Sequence, residues 1–318
     1  MPPTIHLYFT QFAAPDAVSS TTSKDQVRSL VVLEKRASRA LQHHALGQVL
    51  GIPIDTVQIE PRASAADSSE YETHQQSALS RKPWHRGVQF NTTNEGGTVV
   101  VAVTDDLTVP LGVDLVAEHH DNKEKGCSAE STDFDGLDQE YVKAMVLTEN
   151  EIKTIKRVGQ RLARQRVYAA AIALKEAFLK YHGIGLVGVS SLADVEVTFP
   201  KNFDGNLWVS NTKNETTMPT LEWVGSSKGT NEPTTTTTTT TITTTIASAL
   251  KVDYTGDRAT EDSGAAGHVF RVTPVRGTTE LVGAIVGPLR VLDGPEQNPG
   301  VAEVLSYKQH HVSFSHLL

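Results

Sequence analysis

One cysteine, Cys127, stands in a chain of 318 residues. That excludes an internal disulfide framework and any zinc site built on several thiolates. A basic excess is also missing. The 29 Lys and Arg residues face 37 Asp and Glu, so the formal net charge is -8, the wrong sign for a surface that neutralises nucleic-acid phosphates. No apolar run approaches the ~20 residues that cross a bilayer; the longest candidates are Thr98–Val103 and Leu281–Gly287. Met1–Thr10 lacks the basic and apolar regions of a secretory signal. Neither a P-loop nor a G-x-G-x-x-G occurs. An acidic, soluble, cytoplasmic protein that binds neither nucleic acid nor membrane is the expectation. At roughly 150 residues per domain, the length predicts two domains.

What is present begins with Ser29–Leu50, where Leu30, Leu33, Ala37, Leu41, Ala45 and Val49 recur at helical spacing. Gly51-Ile52-Pro53 stops that helix, and the alternation of Asp55–Glu60 predicts a strand. Val88–Val103 reads as two strands joined by Gly96-Gly97, and Leu111–Val116 as a further short strand. Ala63–Ser80 reads as loop.

Charge is then segregated. Asp114 to Glu151 carries eleven acidic side chains and three lysines, whereas Lys153 to Lys180 carries eight basic ones and only Glu176 on the acidic side. The acidic stretch 121–139 reads as a solvated insertion. Helices are expected at Glu140–Val158 and Arg164–Tyr181, the second ended by Gly183. Strand candidates follow at Val195–Phe199, Leu207–Val209, His268–Val272 and Glu280–Val286. Eleven of residues 234–245 are threonine. That run has no apolar face to bury and reads as a disordered or extended insertion.

Two segments carry chemistry: Gly112-Val113-Asp114-Leu115 at a strand end, and Leu174-Lys175-Glu176-Ala177-Phe178-Leu179-Lys180 in a helix, followed by Gly183-Ile184-Gly185-Leu186. Glu176 and Lys180, four apart, share one helix face. A strand carboxylate and a helix carboxylate can converge on one hard cation whose other positions go to water and phosphate oxygens. Alone, the first is more often a turn residue and the second usually a surface ion pair. The pairs His43-His44, His119-His120 and His310-His311 lack metal-ligand spacing and read as surface histidines; Cys127 has no paired base.

Together and in this order, the two segments resemble the 4′-phosphopantetheinyl transferase family, whose members carry G-I/V-D and then W-x-x-K-E-A/S-x-x-K-x-x-G-x-G-L. Here 176 − 114 gives a spacing of 62, lengthened by the acidic insertion. Leu50-Gly51-Ile52-Pro53 resembles the end of the family's first helix, and Arg81-Lys82-Pro83 its G-K/R-P motif. Phe90-Asn91-Thr92-Thr93-Asn94 resembles F-N-x-S-H, and Val146–Glu151 resembles F-T/S-x-x-E. The likeness covers about residues 28–190, and the mid-chain Asp114 is similar to the large, broad-specificity, eukaryotic type. Thr93, Asn94, Ile172 and Arg81 stand where the motifs have Ser, His, Trp and Gly, and Val116 stands where bacterial members place a third acid.

The resemblance implies an α/β (α+β) fold of two similar subdomains related by a pseudo-two-fold, residues 1–112 and 113–318, the second with a low-complexity insertion at about 211–265. It implies Mg²⁺-dependent transfer of the phosphopantetheine arm of coenzyme A to a serine of apo acyl or peptidyl carrier proteins, by a monomer, with release of 3′,5′-ADP. Such carriers serve fatty-acid, polyketide, non-ribosomal-peptide or lysine biosynthesis. Asp114 and Glu176 would be the metal ligands, Glu176 would also accept the serine proton, and Lys180 would contact phosphate. Arg28, Lys82, Thr93, Asn94 and Lys175 would join Lys180 as coenzyme A contacts. The other expectation is a homologue of the same fold that binds coenzyme A or carrier domains without efficient transfer.

Overall fold

The computed structural model describes residues 4–12, 24–61, 83–104, 110–117, 146–183, 189, 191–199, 220–221, 240–244, 250–254, 265–272, 281–288, 305–312 and 317. The long helix α1 spans Lys24–Leu50. It ends where the sequence says it should: Gly51 takes φ +66, a conformation an L side chain resists, and the Ile52 amide returns to the Gly47 carbonyl at 3.0 Å. The expected strand over Asp55–Glu60 does not form. Pro53 starts a single 3-10 turn, Ile54–Thr56, and the Thr56 hydroxyl closes it on the Pro53 carbonyl at 2.6 Å. Only Glu60–Pro61 (β2) is extended, paired with Pro83–Trp84 (β3).

The hairpin read from Val88–Val103 is present as β4 (Gln89–Glu95) and β5 (Thr98–Thr104), joined by Gly96-Gly97. Strand β1, Thr4–Gln11, lies beside β5 and was not anticipated. Its other neighbour comes from the far end of the chain: β13, Leu305–His311, runs parallel to it, with Tyr8 opposite His310. Residues Thr240–Thr244, four threonines and Ile242, form β9 on the outer side of β13, so this part of the threonine run is an extended strand. β-Branched threonine suits that conformation. The first sheet is therefore ordered β4-β5-β1-β13-β9.

The second sheet is ordered β6-β12-β11-β10-β7, with β6 Gly112–Ala117, β7 Val195–Thr198, β10 Leu250–Tyr254, β11 Ala265–Val272 and β12 Leu281–Pro288. Strand β8, Thr220–Leu221, runs alongside the end of β11. β8, β9 and β10 all fall in the stretch read as insertion, and β10 is interior to the sheet, between β11 and β7. Helix α2, Glu149–Lys156, and helix α3, Arg161–Tyr181, complete the described elements. The expected strand at Leu207–Val209, residues 140–145 of the helix expected from Glu140, and the acidic segment with Cys127 lie outside the described residues; residues 146–148 of that helix are not helical, because Thr148 is extended and caps α2.

Alternation sorts the side chains into four layers. Along β5 every position is buried. Val99, Val101 and Val103 pack with Ala37, Leu41, Ala45 and Leu46 of α1. Val100 and Ala102 turn the other way, toward Val113, Leu115, Phe270 and Ile285 of the second sheet. On that sheet's far side Val282, Ala284 and Val286 meet α3. The protein is a mixed α/β structure of the α+β kind, layered helix, sheet, sheet, helix. Among the described residues no helix is long and apolar enough to cross a membrane.

Candidate functional site

The edge strands β4 and β6 lie beside each other, and the site forms where α3 packs on β6. In β6, Val113 and Leu115 point into the inter-sheet core, which turns Gly112, Asp114 and Val116 toward α3. The glycine is required by packing. A Cβ at position 112 would sit 1.8 Å from the Ala177 carbonyl oxygen and 2.7 Å from the Tyr181 nitrogen. Backbone therefore touches backbone, and the Asp114 carboxylate reaches the side chains of α3.

Asp114 is 4% exposed. Its Oδ1 accepts from the Thr93 hydroxyl at 2.9 Å and from Lys180 Nζ at 2.5 Å. Lys180 also donates to the Val113 carbonyl at 3.1 Å. One turn earlier on the same face, the Glu176 carboxyl is pushed up to about 7, first by burial, then by the charge of Asp114 and the hydrogen bond the two carboxyls share. Lys180 pulls the other way, and Glu95 adds a further push upward. Glu95 was not singled out in the sequence. Period-two alternation along β4 would have found it, because Asn91, Thr93 and Glu95 share one strand face. From that face Asn91 Nδ2 donates to the Leu111 carbonyl at 3.2 Å, stitching β4 to the start of β6.

The structure thus brings Asp114, Glu176, Lys180 and Thr93 together. It does not bring Asn94 or Lys175 to them. Asn94 is on the opposite face of β4, exposed, with its amide donating to Glu34 of α1 at 3.2 Å. Glu34 also accepts from the Gly97 amide at 3.1 Å. A carboxylate there makes the surroundings of Asn94 unfavourable to a phosphate.

Lys175 is wholly enclosed, a buried ion-pair partner where the motif reading has a coenzyme A contact. Its Nζ is 2.7 Å from Glu151 Oε2 and donates to the carbonyls of Val146 and Leu192 at 2.8 and 3.3 Å. All three ammonium donors are used. Glu151 in turn accepts from the amides of Thr148 and Val197, both at 2.7 Å. The Thr148-x-x-Glu151 segment is a capping box starting α2. Burial pushes the Glu151 carboxyl up and the Lys175 amine down, each opposed by the partner's charge and hydrogen bond. The side chain of Arg28 and the whole of Lys82 lie outside the described residues, as do Gly185 and Leu186. Gly183 caps α3 at φ +72 as expected.

The histidines at 44 and 310 are not simple surface residues. His310 stacks on Tyr8 with ring centroids 4.3 Å apart and meets His6 through ring nitrogens 3.2 Å apart, and His44 edges onto Tyr8 at 6.1 Å. Burial raises the Tyr8 hydroxyl to about 12, which keeps it neutral in this aromatic cluster.

Among the described residues no group of three or more His, Cys, Asp or Glu side chains is arranged for a metal. Asp114 and Glu176 are a two-carboxylate set with two acidic groups facing one lysine. Hard oxygen donors in that number suit Mg²⁺, which keeps several waters and takes one or two carboxylates, and the mutual repulsion that raises Glu176 is what such a cation relieves. The residues therefore fit that ion. A comparison of the chain with protein-family models finds no match, and a comparison with curated proteins finds none.

Proposed function

We propose that the chain is a 4′-phosphopantetheinyl transferase that moves the phosphopantetheine arm of coenzyme A to a serine hydroxyl of an apo acyl or peptidyl carrier protein. The observation that carries the reading is the meeting of Asp114, Glu176 and Lys180, which the two resembling motifs name and which nothing in their spacing of 62 residues guarantees. The serine oxygen forms a new bond to the β-phosphorus, the pyrophosphate P–O bond breaks, and 3′,5′-ADP leaves. Asp114 and Glu176 would hold Mg²⁺, which supplies positive charge against the pyrophosphate. Lys180, already paired to Asp114 on this face, offers a point charge to the phosphate oxygens. The Glu176 carboxyl, titrating near neutrality, takes the serine proton directly or through water.

The finer fold reading belongs here too. A helix laid on a mainly antiparallel sheet occurs twice, α1 over β4-β5-β1 and α3 over β6-β12-β11. That repetition supports two similar subdomains about a pseudo-two-fold, with the active site at their seam; the resemblance adds a protein working as a cytoplasmic monomer. The test is intact mass. Incubated with coenzyme A, Mg²⁺ and an apo carrier protein, the chain should add one phosphopantetheine arm to the carrier. An unchanged carrier mass across a panel of carriers rejects the reading. The bond from Asn94 to Glu34 favours a second reading, a protein that binds coenzyme A or carrier domains with little transfer. Calorimetric binding of coenzyme A without any mass gain would select it.

A further inference from the structure

Helix α3 carries a second charged group that the chemistry above does not use. Lys175 and Glu151 are fully enclosed beside a core that includes Leu147, Ile152, Leu174, Val195 and Val197, with Glu196 the further charge acting on Lys175. We propose that Glu151 and Lys175 are positioning residues for the candidate site, setting the rotation of α3 about its axis so that Glu176 and Lys180 meet Asp114. The inference rests on the reading of those three residues as the reacting group.

Neighbouring positions on a helix are about 100° apart, so whatever fixes Lys175 also fixes Glu176 and Lys180. The rest of the α3 interface is apolar: Ala169, Ala170, Ala171, Ala173 and Ala177, with the larger Tyr168, Leu174 and Phe178, share one core with Val282, Ala284 and Val286, and apolar burial is non-directional. The three hydrogen bonds of the Lys175 ammonium are directional. Their reference frame is the same sheet that holds Asp114. Glu151 is bonded to the Val197 amide in β7, one edge of the second sheet, and Asp114 lies in β6, the other edge. The helix is thereby indexed at one edge and reacts at the opposite one. Stability does not demand an ion pair here, since well-packed apolar residues of similar volume are often at least as stable. Orientation does.

The test is a double-mutant cycle on the site contact. D114N and K180M, singly and together, give the Asp114–Lys180 coupling from denaturation curves. The same cycle is repeated in an E151Q/K175M background, which removes both buried charges and keeps an acceptor for the Val197 amide. The coupling should fall by about half or more when the background no longer indexes the helix; an unchanged coupling in a folded background overturns the proposal. If that background fails to unfold cooperatively, E151D, which keeps the charge but shortens its reach, carries the same cycle with the same two outcomes. In the transfer assay E151Q/K175M should lower kcat about tenfold with KM for coenzyme A within about threefold, the signature of misplaced catalytic groups. Wild-type kcat in a folded E151Q/K175M protein also overturns it. A wild-type chain that transfers nothing rejects the reaction, and the coupling measurement still decides the positioning.

Discussion

Two acid–lysine groups sit one residue apart on α3 and differ in arithmetic. With Glu196 adding a further negative field from β7, Glu151 and Lys175 pair one to one. Both are 0% exposed, and backbone amides and carbonyls take the lone pairs and donors the pair leaves over. At the other group, among the described residues, Asp114 and Glu176 face one lysine, Lys180, with Glu95 adding negative field from β4. A balanced, saturated pair has nothing to offer a ligand. An acid-rich group lowers its energy by taking up a proton or a cation, and for that reason the second group, not the more buried one, is the candidate for chemistry.

The contrast can be broken in four ways. E176Q keeps the shape of the site and removes the proposed proton acceptor. It should cut transfer about 10²–10⁴-fold while leaving coenzyme A binding largely intact, read by carrier mass and calorimetry; unchanged turnover would remove Glu176 from the reaction. On the balanced side, K175M strands the Glu151 carboxylate and should cost about 3–5 kcal/mol in denaturant unfolding. K180M, with its side chain 29% exposed, should cost much less, and equal losses would erase the distinction. G112A forces a Cβ into the Ala177 carbonyl and should cost about 1–3 kcal/mol. By parting β6 from α3 it should also let the Glu176 carboxyl fall back toward the ordinary range, visible by NMR titration.

The smallest effect is with pH. Between 4.5 and about 7 the folded chain holds the Glu176 proton and the unfolded chain releases it. The stability contributed by that proton is therefore fully present below 4.5 and lost as pH rises through about 7. Denaturation midpoints should fall from pH 5.5 to pH 8, and E176Q should flatten this part of the slope. Mg²⁺ at pH 8 should restore stability to the wild type and not to D114N; a midpoint indifferent to Mg²⁺ would argue against the two-carboxylate metal site.

Much of the fold was readable because its causes are local. Gly51 and Gly183 end their helices through backbone freedom that only glycine supplies cheaply. The alternating and β-branched residues of β4, β5 and β6 declare strands. Asp55–Glu60 misled because alternation is a weak signal beside a proline that sets up a 3-10 turn. β1 and β13 escaped notice for a different reason. Their pairing joins Thr4 to Ser306, and no local pattern announces a partner at that separation.

The same division runs through the site. Sequence by itself set Asp114, Glu176 and Lys180 in motifs that resemble one family's, placed Glu176 and Lys180 on one helix face, and put a glycine two residues before Asp114. It could not say that adjacent Lys175 and Glu176 would take opposite duties, or that Thr93 would turn to Asp114 while Asn94 turned to Glu34. Those assignments depend on what lies against each side of α3 and β4. That was decided only when β6, β7 and the segment from Val146 to Glu151 packed around α3, because whether a charge is saturated or left in excess is a property of its neighbours in space.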